Sequence, residues 1–516
     1  MNTTMKPNIR NACPPRTART LRLAAALVCA AAGTLAVPAY AAGEAKNVIF
    51  FLGDGMGPVT VTAARIYKGE KQLAARPGSL VSPERANLVM QSLPYAARVK
   101  TFSLDGQTTD SAPSMAAYMT GVKMRNEVIS MSSDTVAVDS TGKQYINGEN
   151  TTCPPTNGKA ADTLLELAKA KGRAVGAVST TRVGHATPAT TYAHICNRNG
   201  YNTIAEQSVP GHANYNPKLL DGIDVLLGGG QRNYLTTAGT KRTDGVDLVA
   251  AMIAKGYTYV DNGTRLKAVD AAATGKLLGL FSPSEMAYEL DRVKQNLDQP
   301  SLSDMTEKAL GVLSRNDKGF FLMVEGGRID HALHGTNAKR ALEDTLAFDA
   351  AIQTALDYMN KKDPGLKNTL VVVTADHDHA IAFNGYPKIG NPILGLVNGY
   401  ADGKPSKASD GKPYTTLVFG NGGRPGATAG SDVNTEDGGK KWIAPARAAS
   451  RDDQSVMDTT DDNFLQEVGI NLGSPGAETH GGGDVMLFAG GAGSKIFKGT
   501  MENIKVFNKV KEAAGL

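Results

Sequence analysis

Beyond its first forty or so residues, this chain of 516 has no stretch long and apolar enough to span a bilayer. It has no acidic residue before Leu23, where five basic ones stand: Lys6, Arg10, Arg16, Arg19 and Arg22. Those five account for the whole surplus of 55 Lys and Arg over 50 Asp and Glu, so the remainder is formally neutral. A neutral body gives no support to a basic face for nucleic acid. No short-period repeat is evident. Cysteine is scarce, four in all, and only Cys153 and Cys196 lie beyond the first segment. In an oxidising compartment these two could pair; two buried thiols are the other reading.

What is present begins with the opening segment. The basic stretch is followed by an apolar run from Leu23 to about Val37 and by Ala39-Tyr40-Ala41. That is the pattern of a secretory signal peptide, cut after Ala41, and it implies a periplasmic or secreted protein with no membrane attachment after cleavage. An uncleaved N-terminal anchor is the alternative.

The body alternates short apolar runs with helical patterns. Strands are expected at Val48–Leu52, Ala174–Ser179, Ile223–Leu227, Leu277–Phe281, Phe320–Val324, Leu370–Thr374 and Val485–Phe488. Helices are expected near Val59–Lys68, Ala160–Lys171, Asp247–Ala254, Asp304–Ser314, Asn337–Met359 and Met501–Ala513. This alternation predicts an α/β fold, a large mostly parallel sheet with helices on both faces. Residues 385–475 are rich in Gly, Asn, Asp, Lys and Pro and carry Trp442; they read as an inserted lobe of loops and short strands. The catalytic domain is then 42–384 with 476–516.

Ligands of parallel α/β sheets bind beyond the carboxyl ends of the strands. Candidate groups gather there. Asp54 follows the first strand, Glu325 closes Phe320–Val324, Asp376 and His377 follow Leu370–Thr374, and His185 and Thr187 follow Ala174–Ser179. All eight histidines lie in the body, and five form tight groups: His331 with His334, His377 with His379, and His480. Asp330 and His334, four apart, share a helical face. Carboxylates with imidazoles favour zinc, and all-oxygen sets favour magnesium. Singly, each histidine reads as a structural residue; together with the acids, a multi-metal site is the better account. Ser111, in Thr109-Asp110-Ser111-Ala112-Pro113, reads locally as the N-cap of a helix over Ala112–Met119. Such an amino end would stabilise a phosphoryl group. No histidine–serine pair is visible, so a metal would have to activate the hydroxyl.

These motifs, in this order, resemble those of the alkaline phosphatases from Lys46 to the last helix. Phe-Leu-Gly-Asp54-Gly-Met-Gly is similar to the family's first metal motif, and Thr-Asp110-Ser111-Ala to its nucleophile motif. Val-Glu325-Gly-Gly-Arg-Ile-Asp330-His331-Ala-Leu-His334, Thr-Ala-Asp376-His377 and Glu478-Thr-His480-Gly-Gly resemble its remaining metal motifs. The resemblance implies two zinc ions, one on Asp330, His334 and His480, the other on Asp376, His377, Asp54 and Ser111. It implies magnesium on Asp54, Thr187 and Glu325, and Arg198 gripping phosphate. Phosphate monoesters would then be hydrolysed by two in-line displacements through a phosphoseryl intermediate at Ser111. His185 and His331 stand where some bacterial members have Asp and Lys, beside the metals like Asp110. The lobe matches the position of the family's crown or interface loop, and members are commonly homodimers. Two rival readings are a phosphodiesterase or sulfatase of the same superfamily, and a non-catalytic periplasmic phosphate- or zinc-binding protein.

Overall fold

The computed structural model describes residues 45–237, 240–422, 451–472 and 477–516. The expected signal segment, Trp442 and part of the inserted lobe lie outside the described residues.

The main sheet has ten strands. In chain order they are β1 Asn47–Gly53, β2 Tyr95–Lys100, β3 Ala174–Arg182, β4 Val225–Gly229, β5 Tyr257–Val260, β6 Lys276–Leu280, β7 Phe320–Gly326, β8 Thr369–Ala375, β9 Val485–Gly491 and β10 Gly499–Glu502. In space they run β10-β2-β9-β8-β1-β7-β3-β4-β6-β5. Every pairing is parallel except the two that β9 makes, with β8 and β2. The middle strands are unbroken apolar runs; all of β7 and β8 is buried, which requires cover on both faces. The mostly parallel sheet expected from the sequence is therefore the one observed.

Four helices matter for the site: α1 Pro58–Ala75, α2 Ser111–Thr120, α3 Arg328–His334 and α4 Ala338–Lys362. Three expected boundaries are corrected. The helix expected from Ala160 starts at Leu164, because Thr163 caps it and Glu166 returns the bond, a capping box that fixes the start. The last helix starts at Asn503 rather than Met501, because Met501 pairs in β10. The first helix continues past Lys68 to Ala75. Three strands were not anticipated: β2, β5 and β10. Of these, β5 and β10 are sheet edges, and β2 alternates exposed polar with buried positions, so none is a continuous apolar run.

A second, three-stranded sheet joins Ile381–Phe383 to Leu417–Gly422 and Val468–Asn471. Cys153 and Cys196 form a disulfide, with 5.9 Å between their Cα atoms. No helix among the described residues is long and apolar enough to cross a membrane.

Candidate functional site

The four central strands β8, β1, β7 and β3 lie side by side, parallel, and end level: Gly53 is paired with Ala375 and Gly326, and Ser179 with Glu325. One edge of the sheet thus receives Asp376 and His377, Asp54, Glu325, and then His185 and Thr187 from adjacent strand ends. Asp54, Glu325, Asp376, His377 and Thr187 are all fully buried. Gly55, just past β1, has φ +65°, and its amide donates to Asp376 Oδ1 at 3.1 Å. A β-carbon there would lie 2.4 Å from the His379 ring. Only glycine allows both the turn and the approach.

Ser111 is the first residue of α2, and Asp110 occupies the N-cap position, so the serine is not the cap that its sequence suggests. Pro113 stands in the first turn, where its missing N–H costs no intrahelical bond. Tyr118 ties this helix to the end of β8, donating to the Ala375 carbonyl at 2.8 Å. The Ser111 hydroxyl, 2% exposed as a residue, lies 3.1 Å from His377 Nε2 and 3.5 Å from Asp54 Oδ1. His377 Nε2 is 3.2 Å from Asp54 Oδ1 and 3.5 Å from Asp376 Oδ2. A histidine therefore does meet the serine, from 266 positions away, which sequence spacing could not reveal. Burial disfavours its charge, but the neighbouring carboxylates Asp376 and Asp54 prevail and lift His377 to about 9.

The second group closes through a two-residue ladder. Asp378–His379 pairs with His480–Gly481, setting His379 opposite His480. His334 Nδ1 faces the Glu478 carbonyl, and His480 Nδ1 faces the Thr109 carbonyl at 2.7 Å. Each Nδ1 must donate there, so in the neutral ring each Nε2 carries a lone pair. Those two Nε2 atoms are 3.1 Å apart, and they lie 3.3 and 3.6 Å from Asp330 Oδ1. Lone pairs so close repel unless a cation lies between them. Ligands about 2.0–2.1 Å from a tetrahedral zinc are separated by about 3.3 Å. Both donor sets fit that spacing. His379 adds a residue that the sequence reading left without a role: its Nε2 meets Asp330 Oδ1 at 2.7 Å while its Nδ1 meets Glu478.

Electrostatics point the same way. Burial, then Asp54, pushes the carboxyls of Glu325 and Asp376 well above the ordinary range. Burial opposes ionisation of Asp330 too, yet His334, His379 and His480 hold it well below that range. Burial, with His377 and His334 nearby, drives His480 far down. Glu325 Oε1 and Asp376 Oδ2 are buried with no hydrogen-bond partner. Divalent cations would neutralise these acids and use the orphaned oxygens, so the residues fit metal ions.

Asp54, Glu325 and His185 present ligand atoms within 4.8 Å of one another, and Thr187 Oγ1 approaches Asp54 Oδ2 at 3.5 Å. His185, His331 and Glu285 form a further close set. Each of these three is met by a guanidinium: Arg198 on His185 at 3.0 Å, Arg328 on His331 at 2.8 Å, Arg182 on Glu285 at 3.3 Å. Donors on a ring nitrogen oppose the arrangement around a metal-bound imidazole. The Arg198 guanidinium is held on both sides, by Asp110 on one terminal nitrogen and His185 on the other. All the residues singled out in the sequence therefore come together, and Glu285 joins them.

A family model described as alkaline phosphatase matches residues 45–516. The tissue-nonspecific isozyme of alkaline phosphatase from Rattus norvegicus is 38% identical over 482 residues, covering 89% of this chain and 81% of that protein. The isozyme from Homo sapiens is 37% identical with the same coverage. Among solved structures, alkaline phosphatase from Thermus thermophilus superposes with a TM-score of 0.61 at 26% identity, over 92% of each chain. That from the Antarctic bacterium TAB5 gives 0.58 at 21% identity, over 92% of this chain and 99% of its own.

Proposed function

Because this chain belongs to the alkaline phosphatase family, and so is an enzyme acting on phosphate monoesters, we propose that it works through a phosphoseryl intermediate at Ser111 with two zinc ions and one magnesium ion. Asp330, His334 and His480 hold one zinc; Asp54, Asp376, His377 and the Ser111 oxygen hold the other; Asp54, Thr187 and Glu325 hold magnesium. The observation that carries this is the pair of donor sets with mutual separations of 3.1–3.6 Å, one of which includes the Ser111 hydroxyl.

When bound, the metals supply Lewis acidity, lowering the pKa of the serine and of a water and neutralising the leaving oxygen. The residues do the rest. Ser111 Oγ attacks phosphorus in line with the leaving alkoxide, which departs as the alcohol. The amino end of α2 stabilises the phosphoryl charge. Arg198 grips two phosphate oxygens with its planar guanidinium. Water then attacks phosphorus from the face the alcohol left, returning the serine and inorganic phosphate. Arg198 also favours monoesters over diesters, since it takes the space of a second ester group. Export with cleavage after Ala41, an interface lobe at 385–475 and homodimer assembly belong to the same reading.

Metal analysis of the purified protein, with monoester and diester turnover of wild type and Ser111→Ala, tests it. Ser111→Ala should keep its zinc and lose at least roughly 10³-fold in monoester turnover. Unchanged turnover would reject the nucleophile, and faster diester than monoester hydrolysis would reject the substrate class. Full activity after exhaustive chelation would reject the metals.

A further inference from the structure

The segment Arg125–Met131 leads away from the nucleophile helix and contains two non-glycine residues in the left-handed region, Glu127 at φ +70° and Ser130 at φ +48°. Such backbone is unfavourable for any residue with a β-carbon and persists only where its surroundings fix it. The surroundings here are the two groups flanking the reaction centre. The Glu127 amide donates to Asp110 Oδ2 at 2.8 Å, and the Glu127 carbonyl accepts the Arg198 amide at 2.8 Å. Asn126 Oδ1 accepts the Asp110 amide at 3.2 Å, and Asn199 Nδ2 donates to Glu127 Oε2 at 3.1 Å. Just beyond, Ile129 pairs with Ile195 through both backbone bonds.

We propose that Glu127 is a positioning residue whose left-handed backbone clamps Asp110 to Arg198, and so fixes the phosphate-gripping guanidinium relative to the start of α2. This rests on the reading of Arg198 as the phosphate fork. The geometry gives the reason. Asp110 uses one carboxylate oxygen for the Arg198 side chain and the other for the Glu127 amide. The Glu127 carbonyl holds the Arg198 backbone. A peptide turned to ordinary negative φ could not aim its amide at one and its carbonyl at the other as it does here. The guanidinium of Arg198 is thus anchored at both its root and its tip through a single residue.

Glu127→Val, Glu127→Ala and Glu127→Gly separate backbone from side chain, since all three lose the Asn199 bond. Valine resists left-handed backbone most and glycine accepts it freely. The readouts are inhibition by inorganic phosphate, KM and kcat for a monoester, and the thermal midpoint, in the metal-loaded enzyme with and without Arg198→Ala. Glu127→Val should raise KM and the phosphate inhibition constant about tenfold, with a smaller change in kcat, since about 1.4 kcal/mol of binding is a factor of ten. Glu127→Gly should recover most of that affinity. On Arg198→Ala, Glu127→Val should add nothing. A folded Glu127→Val with a lowered midpoint but unchanged phosphate affinity overturns the proposal, as does a penalty that persists in full on Arg198→Ala. If Glu127→Val does not fold, the same comparison is read on Glu127→Ala, with an increase of about threefold. Arg198→Ala with unchanged phosphate affinity would sink the reading of Arg198 and the clamp with it; an impaired Arg198→Ala beside an unimpaired Glu127→Val sinks the clamp alone.

Discussion

His379 Nε2 lies 2.7 Å from Asp330 Oδ1, and the other face of the same imidazole is held by Glu478. The ring thus orients a carboxylate that itself faces His334 and His480. Removing such a support typically lowers metal affinity about 10–100-fold. His379→Ala should therefore lose zinc at lower chelator concentration than wild type while regaining much of its activity in excess zinc. Back-titration of stripped protein with zinc measures this, and coincident curves would count against it.

Gly55 makes a sharper test of the cradle. A β-carbon there would meet the His379 ring at 2.4 Å and Asp330 Oδ1 at 3.2 Å, on backbone at φ +65°. Gly55→Ala should cost at least about 10²-fold in turnover, because displacements near 1 Å at the reacting centre have that effect. Gly142→Ala, also at positive φ but with open space around it, should cost only backbone strain of about 1 kcal/mol and leave turnover intact.

The loop that joins the first two strands of the second sheet is held by two carboxylates, one on α1 and one in the turn after it. Glu70 Oε1 accepts the Ile393 amide at 2.6 Å, and Glu84 accepts the Gly390 amide at 2.8 Å. Burial, with Glu84 adding to it against the Ile393 bond, raises Glu70 from 4.5 to about 7. A raised folded-state pKa gives stability that is complete below the unfolded value and lost as pH rises through the folded one. Glu70→Gln, which cannot ionise, should therefore gain on wild type by about 1–3 °C in thermal midpoint between pH 5 and pH 9. A difference that stays constant or reverses with pH would discount the coupling.

The disulfide closes a span of 43 residues. A loop of that length contributes about 4 kcal/mol in the chain-entropy view. Cys153→Ser with Cys196→Ser should lower the thermal midpoint by several degrees. Since Arg198 follows Cys196 by two residues, the phosphate inhibition constant should rise as well. Phosphate inhibition equal to that of wild type would separate the bridge from the site.

The central fold was legible because β1, β7 and β8 are buried on both faces and so read as unbroken apolar runs. The ligand-bearing strand ends followed from that. The edge strands β5 and β10 were not legible: an edge needs only half its residues apolar, and short polar segments such as Gly499–Glu502 resemble loops. Ser111 was found as a candidate, but its meeting with His377 depends on pairing across 266 positions. His379 was visible two residues past His377, yet its partner is fixed by the ladder to His480, which local periodicity does not encode. Glu127 carried no signal at all, because a glutamate in a turn is ordinary until its φ is known.

Strand β9 runs against its neighbours, and this has a consequence for how the site is completed. The parallel strands deliver their buried acids and imidazoles at their ends, whereas β9 enters the sheet from that same edge, so His480 arrives just before a strand begins. Asp54, Asp330 and His334 are synthesised long before it. Until His480 is in place, the buried carboxylates at the strand ends stand without that imidazole. A cation between Asp330, His334 and His480 could therefore be enclosed only once β9 has paired, so a change that unseats β9 would open the site as well as the sheet.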